Sequence, residues 1–136
     1  MAENEKMFPV KIITPDRIFY TGEADMIEFA TSSGQIGVYK NHIPLTTVLS
    51  PGAVIIHEAG GEKIAAVHAG FAEVLSDSVT LLAEIAEWPD EIDTARAEAA
   101  KQRAEDRLQA KAADVDLARA EFALRKALVR IDVKGM

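Results

Sequence analysis

Apolar residues fall into short runs along the first two thirds of the chain, and into a spaced, helical pattern along the last third. The run at residues 10–14 stops at Pro15-Asp16, that at 17–20 stops before Gly22, and that at 26–30 meets Thr31-Ser32-Ser33-Gly34. Residues 54–58 and 63–67 flank Gly60-Gly61, and residues 72–75 and 79–83 flank Ser76-Asp77-Ser78. Both spacings predict tight hairpins. Short strands recurring every ~8–12 residues predict an antiparallel β-sandwich or flattened barrel. A parallel α/β sheet needs crossover helices, and no helical pattern appears before Pro89.

Beyond Pro89 the period changes. Pro89-Asp90-Glu91 is a helix start signal, with acidic residues at the end that favours them. A first helix is predicted from about Ile92 to Leu108, with Ala95, Ala99, Ala100, Ala104 and Leu108 as its apolar face. Asp114 is the expected cap of a second helix carrying Leu117, Leu124, Leu128 and Ile131 at helical spacing. Residues 109–113 are the expected bend; they lack glycine, so one continuous long helix is the alternative. The fold expectation is two domains, β then α: an antiparallel sandwich over residues 1–88 and an antiparallel two-helix hairpin over 89–136.

Glycine and proline usage sharpens that boundary. All five prolines lie at or before Pro89 and seven of the eight glycines at or before Gly70, so only the second part is free of helix breakers over a long stretch. Charge divides at the same place. Residues 1–89 carry 5 basic and 12 acidic side chains, and residues 90–136 carry 10 of each. The net charge of −7 argues against a nucleic-acid partner. Without cysteine there is no disulfide, thiolate metal site or cysteine nucleophile. No apolar run approaches the ~18–20 residues that span a bilayer, and the acidic start gives no expectation of a secretory leader. An alanine-rich helical face has high helix propensity but buries little apolar area, which predicts a hairpin that stays helical while its docking changes.

Several ordered segments resemble the epsilon subunit family of F-type ATP synthases. The most specific is Gly34-Gln35-Ile36-Gly37-Val38-Tyr39-Lys40-Asn41-His42-Ile43-Pro44-Leu45-Thr46, with Lys40 where the family usually has proline. Others are Ile13-Thr14-Pro15 leading to Tyr20-Thr21-Gly22-Glu23-Ala24, then Pro51-Gly52, Ala69-Gly70-Phe71-Ala72-Glu73-Val74, and Ile92-Asp93-Thr94-Ala95-Arg96-Ala97. The resemblance implies a non-catalytic central-stalk rotor subunit, peripheral on the cytoplasmic face of a bacterial cell membrane and not inserted in it. Its sandwich would bind the gamma subunit and rest on polar loops of the membrane ring. Its hairpin, when extended, would reach the catalytic alpha and beta subunits and restrain ATP hydrolysis.

Two groups of residues follow from that resemblance. Gln35, Tyr39, Lys40 and His42 fall where the family meets gamma and the ring; the plain alternative is a turn shaped by glycine and proline, with Tyr39 in the core. Glu87, Ile92, Asp93, Arg96, Ala97, Lys126 and Arg130 match a regulatory ATP site of some members, with Lys126 in place of an arginine. Arginine holds phosphate with a fixed fork of donors, whereas lysine offers a point charge. The plain alternative is a helix N-terminus, with Asp93 as cap and Asp93–Arg96 an ordinary i,i+3 pair. No phosphate-binding Gly-x-x-x-x-Gly-Lys loop is present, and nothing accompanies His42 as a nucleophile, so ATP would be a ligand and not a substrate. No cofactor or metal is expected to be required; His57 and His68 read as packing or surface residues. The competing function is a stand-alone ATP-sensing module, and a small hydrolase using His42 is a remote third.

Overall fold

A computed structural model describes residues 5–110 and 116–136. Eight strands come first: β1 (Phe8–Thr14), β2 (Arg17–Ala24), β3 (Met26–Thr31), β4 (Gly34–Tyr39), β5 (Leu45–Val48), β6 (Gly52–Glu58), β7 (Gly61–Leu75) and β8 (Ser78–Glu87). A 3₁₀ turn at Pro89–Glu91 leads to α1 (Thr94–Ala110) and α2 (Leu117–Gly135).

The strands run in the order β2-β1-β8-β7-β6-β3-β4, with β5 added to β7. Alternation of buried and exposed residues on β1 and β3 turns Phe8, Val10, Ile12, Ile27 and Phe29 inward. They meet Val54, Ile56, Val67, Val74 and Leu81 in one buried cluster, so the continuous sheet is folded over itself as a two-layered sandwich. Pairing is antiparallel throughout except between β1 and β8. That parallel pair joins the two ends of the domain, and its long connection is the other six strands.

Both expected hairpins form, with Glu58 opposite Gly61 and Leu75 opposite Ser78. The strands that carry them are longer than their apolar runs. Residues 63–67 and 72–75 belong to the single strand β7, which pairs with β6 through its first half and β5 through its second. Between the halves, Ala69 and Gly70 take positive φ values of 61° and 121°. A Cβ at Gly70 would collide with the Leu82 carbonyl oxygen, so only glycine fits. This kink shifts which side chains face the core, from Ala65 and Val67 before it to Ala72 and Val74 after it. The stretch read as a loop from Gly34 to Pro44 is largely strand β4, paired residue by residue with β3. Its Gly-x-x-Gly composition hides a strand because the β3 edge supplies the partner.

The helices form a hairpin whose seam is alanine. Ala97 and Ala104 of α1 and Ala120 and Ala127 of α2 are buried, each pair seven residues apart. Ala95 and Ala99 face solvent instead, and Leu117 and Leu128 remain exposed. With alanine on several faces, composition does not fix the helix phase; the position of the partner helix does. Asp116 caps α2 by accepting from the Arg119 amide at 3.0 Å, while Asp114 and most of the expected bend lie outside the described residues. Asp93 caps α1 in the same way, through the Arg96 amide at 3.1 Å. The hairpin rests on the sandwich through α2, where Val133 and half-buried Val129 pack with Ile92, Ala66, Ala53 and Ile64.

Candidate functional site

Two regions of the surface hold the residues that the sequence singled out, and a third was not foreseen. The first lies where the end of β8, the 3₁₀ turn and both helices converge. Glu87, Glu91, Asp93, Arg96, Ala97, Ala100, Arg103 and Arg130 line a cleft of about 410 Å³ there. β8 delivers Glu87 from the sheet, α1 delivers Arg96 and Arg103 two turns apart past the small Ala97 and Ala100, and α2 delivers Arg130. Ile92 is near by but buried among Ala66 and Val133, and Lys126 lies outside the lining, its Nζ 5.1 Å from the Phe122 ring. Arg103 was missed by sequence, although its i+7 spacing from Arg96 was legible.

The carboxylates of the cleft are engaged. Arg130 Nε donates to Glu87 Oε1 at 2.7 Å. Glu91 accepts from Arg17 Nη2 at 2.9 and 3.0 Å and from the Trp88 amide at 2.9 Å. The Arg17 guanidinium, and then the Trp88 N–H, hold the Glu91 carboxyl below its usual range. Arg96 and Arg103 have no ion pair among the described residues. The cleft thus offers two guanidinium groups to an anion, beside a third, Arg130, that is engaged through Nε with Glu87.

An aromatic stack lies at the join between the sheet and the 3₁₀ turn. Phe19 and Trp88 stack with centroids 4.3 Å apart, Arg17 lies over Phe19, and Lys63 Nζ sits 5.9 Å from the Trp88 ring. Tyr20 meets Trp88 edge-on and donates to Glu58; burial, then the Glu58 carboxylate, raise its pKa. Lys134 Nζ donates to the Pro89 carbonyl at 2.9 Å, tying the end of α2 to the turn.

The second region is the end of the sandwich that carries Tyr39, Lys40 and His42. Tyr39 is exposed, and not a core residue. Asn41 adopts a φ of 68° and donates its amide to the Ser76 carbonyl at 2.7 Å, which turns the chain. His42 Nδ1 lies 2.6 Å from the Ile43 carbonyl, while the Ile43 side chain projects with 79% of its surface exposed. Gln35 stands near the opposite end of β4, opposite Ala30, whereas Tyr39 is opposite Met26. The four residues therefore do not form one cluster.

The third region is a row of exposed apolar side chains crossing five strands. Val48 pairs with Phe71, Phe71 with Leu82, Leu82 with Ile13 and Ile13 with Ile18. Four of them are 48%, 55%, 49% and 64% exposed, in the order Val48, Phe71, Leu82, Ile18. The signal in the sequence was the broken alternation at Ile12-Ile13 and Leu81-Leu82: one residue of each pair faces the core and the other faces out. The other two histidines also diverge. His57 sits between Glu28 at 2.7 Å and Glu62 at 3.3 Å, while His68 is fully buried beneath the hairpin.

Comparison with known proteins places these features in a family. Residues 7–89 match the family model described as ATP synthase, Delta/Epsilon chain, beta-sandwich domain. Residues 90–135 match that described as ATP synthase, Delta/Epsilon chain, long alpha-helix domain. The ATP synthase epsilon chain of Caldanaerobacter subterraneus subsp. tengcongensis is 45% identical over 130 residues, covering 95% of this chain and 94% of that one. That of Halalkalibacterium halodurans is 46% identical over 127 residues, covering 93% and 96%. Among solved structures, a chain of the Euglena gracilis mitochondrial ATP synthase OSCP/F1/c-ring assembly superposes with a TM-score of 0.80. It is 22% identical and is matched over 90% of this chain and 78% of its own, a likeness of fold.

Proposed function

The chain belongs to the ATP synthase delta/epsilon family, as a non-catalytic epsilon-type subunit of the F-type rotary complex, and from that premise we propose how its surfaces are used. The sandwich docks on the gamma subunit through the Val48–Phe71–Leu82–Ile13–Ile18 row. The observation that carries this is the row itself: five apolar residues in register on the outer face of a sheet. Such a patch on a soluble domain marks a protein interface. The end bearing Tyr39, Lys40, His42 and the projecting Ile43 then meets the polar loops of the membrane ring. No helix among the described residues is long and apolar enough to cross a membrane. On this reading a bacterial chain works at the cytoplasmic face of the cell membrane.

Binding of the purified chain to a gamma-containing subcomplex tests the reading. Phe71→Glu places a charge at the centre of the row and is expected to weaken binding by about 30-fold or more, the scale of a central hot spot. His42→Ala, at the end of the sandwich, is expected to change it less than about threefold. Unchanged affinity in Phe71→Glu would remove the apolar row from the interface.

A second reading concerns the cleft, and the observation favouring it is the convergence of Arg96, Arg103 and Arg130 between sandwich and hairpin. We propose that it takes ATP as a regulatory ligand, the arginines holding phosphates. Because the lining comes from the sandwich end and both helices, ligand binding favours the docked hairpin by mass action. Without ligand the hairpin extends towards the catalytic alpha and beta subunits. The cleft's carboxylates are held by Arg130, Arg17 and the Arg96 amide, and on this reading the ligand is bound and not consumed. Calorimetric titration is expected to show ATP binding that Arg103→Ala weakens about tenfold; absence of binding at millimolar ATP would sink it. The relatives matched across nearly their full length are named as synthase subunits, which disfavours the stand-alone sensor.

A further inference from the structure

His68 has no part in any contact described so far, yet it is the most deeply buried polar side chain of the described residues. It lies on β7, two residues from Ala66, in the face of the sandwich that the hairpin covers. Neither ring nitrogen has a hydrogen-bond partner among the described residues. Nε2 stands 3.4 Å from Glu87 Oε1, but that oxygen already accepts from Arg130. The charged groups that face the ring are Glu87 from β8 and Arg130 and Lys126 from α2. Two cations and one engaged carboxylate surround it. A neutral imidazole is tolerated in such a place; an imidazolium would be a third, desolvated positive charge.

We propose that His68 makes the docking of the hairpin proton-sensitive: the hairpin lies on the sandwich while this ring is neutral, and protonation of the ring releases it. The inference rests on the reading that the hairpin leaves the sandwich, and it does not depend on ATP. The interface is thin, with Val133 the only fully buried apolar residue that α2 contributes to it, so one buried charge matters. Burial first, and then the charge of Arg130, lower the His68 pKa to about 4 in the docked state. Once α2 has left, the ring meets water and titrates near its ordinary value of about 6.5. Between those values the undocked form binds more protons, so docking weakens as pH falls from about 6.5 towards 4 and is insensitive to pH above about 7. From pH 7.5 to 5.0 the ratio of docked to undocked chain is expected to fall roughly 30-fold. Ordinary carboxylates remain largely ionised over that interval.

The chain has no cysteine, so Thr21→Cys and Glu121→Cys, both exposed, accept a unique pair of spin labels on β2 and α2. Pulsed dipolar distances at pH 7.5, 6.0 and 5.0 read the docked fraction, with Val133→Ala as a background that raises the undocked population into range. The expected result is a shift to long distances on acidification that His68→Gln reduces to less than about twofold. A shift of the same size in His68→Gln, or none with native His68 in a background that does undock, overturns the proposal. NMR titration of the imidazole in the native chain gives a second, variant-free measure. An apparent pKa below 6, moving with the label distance, supports the switch; titration near 6.5 with an unchanged distance defeats it. If the long-distance population is absent from every protein at every pH, the undocking reading fails as a whole, an outcome distinct from undocking that ignores pH.

Discussion

The sandwich buries phenylalanine, isoleucine, leucine and valine between two layers, whereas the hairpin closes on four alanines and rests on the sandwich through little more than Val133 and Val129. Buried area sets the stability of each. A fully buried Leu or Phe side chain contributes about 1.5–3 kcal/mol and an alanine methyl less than about 1. The sandwich is therefore a platform with stability in reserve, while the hairpin holds its helices by propensity and its position by a few contacts. One chain combines an unyielding part with a displaceable one by changing side-chain size, with no change in the chemistry of the apolar groups.

That contrast can be broken most sharply in the sandwich. Leu81→Ala is expected to cost about 3–5 kcal/mol, lowering the urea midpoint of the whole chain. Gly70→Ala forces a Cβ against the Leu82 carbonyl at a φ of 121° and is expected to cost about 3 kcal/mol or more in the same measurement. Val133→Ala removes two buried methyl groups from the docking face, about 2 kcal/mol, and hydrogen exchange at Ala66 and Val67 should quicken while the sandwich midpoint stays put. A matching drop in that midpoint would mean that hairpin and sandwich unfold as one unit. Asp116→Ala is expected to cost α2 about 1 kcal/mol, seen as lost helical circular dichroism with gamma binding retained. The smallest effect falls on the stack at the join: Lys63→Met should cost about 0.5 kcal/mol of thermal stability.

The architecture was legible because it rests on signals that act locally: Gly-Pro exclusion beyond Pro89, apolar runs between turns, and acidic residues at helix starts. What stayed hidden depends on pairing and packing partners that a single run of residues does not reveal. β4 reads as loop because its glycines are stabilised only by pairing with β3. The unity of β7 is invisible because the kink at Ala69-Gly70 resembles a turn until β8 is seen alongside both halves. The resemblance-derived cleft residues Glu87, Asp93, Arg96, Ala97 and Arg130 do converge, but Ile92 packs beneath them and Lys126 lies to the side. Arg103 was within reach, because seven residues from Arg96 it must share that face of the helix. His68 reads as an ordinary strand residue until α2 covers it and supplies two cations.

The kink in β7 has a mechanical consequence. Neighbouring strands in the sandwich are held side by side by hydrogen bonds, each far weaker than a covalent bond. β5 and β6 both pair with β7, on either side of Ala69 and Gly70, so a displacement of one against the other strains a covalent backbone. The outer apolar row crosses β7 at Phe71, one residue past the kink, and the hairpin rests on Ala66, four residues before it. A push delivered at Phe71 thus reaches Ala66 along the continuous backbone of β7, with β8 paired to both halves, and that path passes through a position that only glycine fits.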